Sequence, residues 1–152
     1  MEAPISTYSF TDVSATLLGP GGTISLGNGA GTSDEGISIT MLEDKTTMTV
    51  GADGSIMHSL HAGKGADIVV RLLKTSPTNA QLSQLYQAQS ASSALWGKNV
   101  IKVSDTSRGD IVAATDVAFA RHSPLTYGKD ANMNEWTFKG SVVQLLGTGV
   151  NV

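Results

Sequence analysis

The chain has 152 residues, of which 17 are Gly, none is Cys and 15% are charged. With 17 Ser and 16 Thr, three small residue types supply about a third of it. This excludes a disulfide scaffold, a thiolate metal site and a Cys nucleophile, and it disfavours a helical bundle, because Gly, Ser and Thr are poor helix-interior residues. A hydrophobic fraction of 40%, spread along the whole length, disfavours disorder. What remains is one β-rich domain with long loops and a sparsely charged surface, as befits a subunit that buries much of itself against neighbours.

In chain order, Ser6–Leu18 reads as a strand whose alternation slips between Phe10 and Val13, predicting a bulge near Thr11–Asp12. Gly19-Pro20-Gly21-Gly22 is a turn and Thr23–Leu26 a short strand. Gly27–Ser33 reads as a loop. Gly36–Leu42 alternates cleanly, with Ile37, Ile39 and Met41 on one face and Ser38 and Thr40 on the other. Lys45–Val50 has strand composition with Met48 and Val50 on one face, and Ala52-Asp53-Gly54 contains an Asp-Gly hairpin signal leading into Ser55–Leu60. Residues 36–60 are therefore expected to form a long hairpin excursion. Ala66–Leu73 is almost continuously apolar and reads as a core strand buried on both faces.

One segment has helix chemistry. Ser76 is a good N-cap, Pro77 suits the first helical position, and Leu82, Leu85, Tyr86 and Gln89 recur at helical spacing. The helix is placed at about 77–91. Strands follow at Val100–Ser104, Ile111–Arg121 and Glu135–Leu145, with a polar turn at Asp105–Asp110, a loop at Pro124–Asn134 and a mobile tail at 147–152. Six or so strands, one helix and three strands predict a β-sandwich or half-barrel with the helix on its side.

Catalytic patterns fail in detail. Gly27-x-Gly29 lacks the third Gly of a dinucleotide fingerprint and precedes a strand instead of a helix. Lys64 follows Gly63 without the rest of a P-loop. His58 and His61 point to opposite faces of a strand, so they read as hairpin residues and not as a zinc pair. His122 stands alone in sequence, with no Ser nucleophile placed beside it. Glu43 and Asp44 are adjacent and diverge on a strand, which is poor geometry for paired acid–base work. No basic stripe with interleaved aromatics is present, and Trp96 and Trp136 read as core or subunit anchors. The N-terminus has no basic and apolar leader pattern, and no apolar run is long enough to span a membrane, so a cytoplasmic protein without a membrane anchor is expected. Charge is uneven: residues 1–70 hold eight acids and two bases, residues 71–152 five acids and eight bases.

Four stretches carry a family likeness. They are Tyr8-Ser9-Phe10-Thr11-Asp12-Val13; Gly36-Ile37-Ser38-Ile39-Thr40-Met41 leading to Glu43-Asp44-Lys45; Gly51-Ala52-Asp53-Gly54 running through Met57-His58-Ser59 to His61-Ala62-Gly63-Lys64; and Arg71-Leu72-Leu73-Lys74-Thr75-Ser76-Pro77 with Asn79-Ala80-Gln81-Leu82. From Tyr8 to Leu146 the chain resembles the tail tube proteins of contractile-tailed, myovirus-type bacteriophages, which are similar to the hemolysin-coregulated tube protein of type VI secretion. The resemblance implies a single domain over 1–152, with an N-terminal arm at 1–7, the 36–60 hairpin as a stacking element and a C-terminal tail at 147–152. It implies hexameric rings whose inner strands join into one barrel, stacked into a hollow tube inside a contractile sheath. It further implies no enzyme activity and no cofactor, and a place in the virion tail after assembly in the host bacterial cytoplasm. The implied partners are further copies of the chain, the tail sheath, the baseplate or initiator, the tail terminator and the tape measure protein, with DNA passing through the lumen without specific binding. Glu43, Asp44, Asp53, Gly51 and Gly54 are the candidate ring–ring or lumen contacts, and Gly27, Gly29, Gly31, Asp34 and Glu35 the candidate inter-subunit loop. The alternatives are another particle component, such as a head decoration or baseplate-hub sandwich, and a small metal- or carbohydrate-binding β-sandwich.

Overall fold

The computed structural model describes residues 7–27 and 32–147, with residues 32–35 as backbone only. Among these residues the chain forms nine strands and one α-helix. The strands are β1 (Val13–Gly19), β2 (Gly22–Ser25), β3 (Thr32–Met41), β4 (Thr46–Val50), β5 (Ile56–Leu60), β6 (Gly65–Leu72), β7 (Asn99–Asp105), β8 (Asp110–Arg121) and β9 (Asn134–Leu145), and α1 spans Thr78–Ser90 between β6 and β7.

Seven strands make one antiparallel sheet in the order β2-β1-β7-β8-β9-β6-β3, and β4 and β5 form a separate two-stranded ribbon. The β1–β2 hairpin turns on Pro20 and Gly21, with Gly19 paired to Gly22. Pro presets φ at the first turn position, and Gly21 takes φ 107 at the second, where a side chain would be strained. In β8, Asp116 adopts φ 53 and the pairing with β9 slips between Thr115 and Ala118. Gly140 sits against this bulge: a Cβ there would lie 2.7 Å from Val117 Cγ2 and 3.1 Å from the Thr115 carbonyl oxygen.

One face of the sheet builds the core. Leu17, Leu26, Ile68, Val70, Leu72, Ile101, Val117, Trp136 and Phe138 are almost wholly buried, and Leu82 and Leu85 of α1 join the same cluster. Because strands from β1 to β6 share one interior, the sheet wraps around it and the helix closes it. α1 presents Thr78, Leu82, Leu85 and Gln89 inward at helical spacing. The helix takes Pro77 as its N-cap, one residue later than expected, and the Ser76 hydroxyl just before it accepts from the Thr78 N–H at 3.3 Å. Gln89 and Asn99, both fully buried, exchange side-chain amide hydrogen bonds of 2.7 and 2.8 Å, and Gln89 also donates to the Pro20 carbonyl at 3.2 Å. This fastens the helix to β7 and to the first hairpin.

Two expectations are corrected. The N-terminal strand begins only at Val13, because Phe10–Asp12 is a 3-10 turn capped by Ser9, whose hydroxyl accepts from the Thr11 N–H. A local side-chain bond there outcompetes ladder pairing. β6 is buried on one face only: its burial alternates, since Asp67 and Arg71 hold the second face. The expected β-rich fold with one flanking helix holds: the described strands form one wrapped sheet plus a ribbon, with the helix on its side.

Candidate assembly surface

The expected hairpin excursion is a projecting arm. Its base continues the β3–β6 ladder, since Leu42 N–H donates to the Gly65 carbonyl, and the His61 N–H donating to the Lys45 carbonyl begins the ribbon's own pairing. Beyond that base β4 and β5 pair with each other, from Thr46 opposite Leu60 to Val50 opposite Ile56. The register puts Met48, Val50, Ile56 and Leu60 on one face, and all four are more than half exposed. Thr47, Thr49 and Ser59 occupy the other face with Met57. A lone two-stranded ribbon is marginal in water, and no other part of the described chain covers the apolar face of this one.

At the tip, Gly51 N–H donates to the Ser55 carbonyl at 2.7 Å and Gly54 N–H to the Gly51 carbonyl at 3.0 Å. Gly54 takes φ 86, which favours glycine. The Asp53 carboxylate accepts from Ser55, from its side chain and from its N–H, and these bonds hold its pKa below the ordinary aspartate value. Glu43 and Asp44 lie in the connection between β3 and β4. All five candidate residues of this group are thus on the arm or at its root, away from the wrapped sheet.

The second candidate group divides. Gly27 is buried against β1, where a Cβ would meet the Ala15 nitrogen at 2.8 Å and the Val13 oxygen at 2.9 Å, so close packing within the subunit accounts for it. Gly29 and Gly31 lie outside the described residues, as do residues 1–6 of the expected arm and 148–152 of the expected tail. Asp34 and Glu35 fall within β3, which begins at Thr32 and so shortens the expected loop. They stand where the β3–β6 register jumps between Thr32 and Ile37, beside Gly36 at φ 63.

The histidines are structural. His58 Nδ1 lies 3.4 Å from the Thr46 hydroxyl and His61 Nε2 2.6 Å from that of Thr47, so each meets a different threonine of the arm. No group of three metal-ligating side chains occurs among the described residues. His122 is not alone in space, contrary to the sequence reading. Its Nδ1–H donates to the Ser123 carbonyl at 2.8 Å and its Nε2 accepts from the Ser83 hydroxyl at 3.0 Å. The strand-to-helix distance in sequence hid this pair. Among the described residues no acid orients the ring, which packs against Tyr86 and Trp136, so the bond fixes a core contact. Trp136 is buried and donates to Asn79 Oδ1 at 3.0 Å, while Trp96 packs edge-on against Tyr86.

The wrapped sheet, single flanking helix and projecting ribbon form a fold shared with chains of contractile injection systems. A chain of the cryo-EM sheath/tube terminator of the extracellular contractile injection system PVC, in its extended state, matches with TM-score 0.59 at 18% identity, over 95% of this chain and 98% of the other. A chain of the PVC sheath–tube complex matches with TM-score 0.56 at 13% identity, over 95% and 93%. The tube-terminating cap of the anti-feeding prophage matches with TM-score 0.55 at 14% identity, over 97% and 94%. No curated protein sequence matches the chain.

The family model described as bacteriophage PhiTE tail tube protein matches residues 5–147, and the chain belongs to that family. It is a structural component of a phage tail and not an enzyme.

Proposed function

We propose that the chain is the repeating subunit of the tail tube, closing into hexameric rings that stack into a hollow tube within a contractile sheath and conduct DNA during ejection. The observation that carries this reading is the arm, with its ordered base and uncovered face of Met48, Val50, Ile56 and Leu60. Burying four such side chains stabilises a contact by about 1.5–3 kcal/mol each before association costs. Ile111, Val143, Leu145 and Leu146 are exposed at the same end of the sheet from which the arm springs, since Gly65 pairs with Ser141 just before them. These residues therefore add to the apolar surface that this end of the subunit presents to the next ring. The outer edge of β3, unpaired among the described residues, suits lateral joining of subunits, because ring closure leaves no free sheet edge. Gly51, Gly54, Asp53, Glu43 and Asp44 act at the ring–ring contact in this reading, and the sheath, terminator, baseplate and tape measure are the remaining partners, with assembly in the host cytoplasm.

Electron microscopy of the purified chain tests the proposal. Rings and tubes are expected, and a variant lacking Gly51–Gly54 should fold as a subunit that does not stack. Normal tubes from that variant would remove the arm from the contact. A chain that stays monomeric at high concentration, even beside its sheath and baseplate, would overturn the function itself.

A further inference from the structure

The five methionines are the only sulfur in the chain, since Cys is absent. Three of them, Met41, Met48 and Met57, lie on the arm or at its root. Met48 and Met57 are 55% and 59% exposed, so an oxidant reaches both thioethers equally in the free subunit. The register sets them apart. Met48 stands opposite His58 and shares its face with Val50, Ile56 and Leu60, whereas Met57 stands opposite Thr49 on the face that carries Thr47 and Ser59. One ribbon thus holds one thioether in its apolar patch and another among hydroxyls. The polar side chains on the Met48 face, Thr46 and His58, lie against each other, with 3.4 Å from the Thr46 hydroxyl to His58 Nδ1.

We infer that Met48 is an oxidation site through which peroxide controls assembly, and that Met57 is a bystander. The inference rests on the tube reading above, in which the next ring covers the apolar face of the arm. The sulfur lone pair attacks one oxygen of hydrogen peroxide. An S–O bond forms as the O–O bond breaks, sulfur gives up two electrons, and the second oxygen leaves as water with both protons. The sulfoxide places a strong acceptor oxygen where a pliable apolar chain stood. Burying that oxygen among Val50, Ile56 and Leu60 without a full set of donors disfavours the contact. The same change at Met57 adds one more acceptor to a face already lined by hydroxyls. Reduction of the sulfoxide reverses the effect.

The test treats unassembled subunits with hydrogen peroxide, removes the oxidant, and follows assembly by sedimentation and microscopy while mass spectrometry reads each methionine. Oxidation should raise the concentration needed for tubes on the order of tenfold or more, and the two methionine sulfoxide reductases, one per epimer, should restore it. Met48→Leu should form tubes after the same treatment although Met41, Met57 and Met133 are oxidised. Met57→Leu should stay as sensitive as the unaltered chain. Met48→Gln carries a polar side chain of similar length and should assemble poorly without any oxidant, with an unchanged Tm of the subunit; it decides the matter should Met48→Leu fail to assemble. In tubes formed beforehand, Met48 should oxidise at least several-fold more slowly than in dissociated subunits. Equal rates in the two states, protection by Met57→Leu, or normal assembly of Met48→Gln would overturn the inference and leave the tube reading intact. Absence of tubes from the untreated, unaltered chain would instead break the tube reading.

Discussion

In the body of the molecule, alternate apolar positions vanish: Ile68, Val70 and Leu72 of β6 and Phe138 of β9 are fully buried. In the arm the same alternation leaves Met48, Val50, Ile56 and Leu60 more than half exposed. Alternation specifies that a strand has an apolar face; it does not specify what covers that face. In the body the cover is the rest of the chain. In the arm no other part of the described chain supplies it, so in the proposed tube the cover would have to come from a neighbouring subunit. Substitutions in the two regions should therefore separate folding from assembly.

The largest effect belongs to the body. Phe138 packs 4.8 Å, centroid to centroid, from Phe119 in the middle of the core. Phe138→Ala should cost about 3–5 kcal/mol through lost burial and the cavity left behind, and lower Tm by roughly 10 °C or more. Thermal and denaturant unfolding of the unassembled subunit measure it. A loss below about 1 kcal/mol would mean that the aromatic cluster does not hold the body together.

Next comes the amide pair under the helix. Gln89→Ala leaves the Asn99 amide buried without its partner and should cost about 1–3 kcal/mol. Asn99→Ala should cost a similar amount, and the two together less than the sum, because each single change orphans a group that the double variant removes. Additive losses in denaturant titrations would show that the two amides act independently.

The arm should behave in the opposite way. Ile56→Asp places a charge on its apolar face, yet the side chain is already exposed in the subunit. Subunit stability should shift by no more than about 0.5 kcal/mol, while sedimentation and microscopy show the loss of tubes. If instead the subunit unfolds and assembly survives, body and arm have exchanged roles.

Much of this division was legible in the residues. Thr47 and Thr49 alternate with Met48 and Val50, and Asp53-Gly54 marks the turn, so the arm was readable as a hairpin. Ser76-Pro77 and the Leu82–Leu85–Gln89 spacing marked the helix. What escaped depends on contacts distant in sequence. The near-continuous apolar run of β6 looked two-sided, and only pairing with β9 shows that Asp67 and Arg71 are matched by Lys139 and Glu135. The β8 bulge needs Gly140, 24 residues beyond Asp116, to make room for it. Gly27 looked like loop because nothing local reveals that it packs on the β1 backbone. The Ser83–His122 bond spans 39 residues and joins a helix to the residue after β8, so no spacing rule could find it.

The smallest effect is a pH dependence at the arm tip. Hydrogen bonds from Ser55 depress the folded pKa of Asp53. A carboxylate with a depressed folded pKa stabilises the structure at pH values above its unfolded pKa, and that contribution fades as pH falls through the lower folded value. The tip should therefore be best ordered near neutrality and loosen in acid, below the ordinary aspartate range. Asp53 is exposed, so global unfolding should barely register the change. Amide hydrogen exchange at Gly54 and Ser55 reads it locally, with faster exchange expected as the carboxylate protonates. Asp53→Asn should show the faster exchange already at neutral pH, and its residual dependence on pH should lack the acid step. Identical exchange in the two chains across that range would mean that the turn is held by its backbone bonds and Gly54 alone, without help from the tip carboxylate.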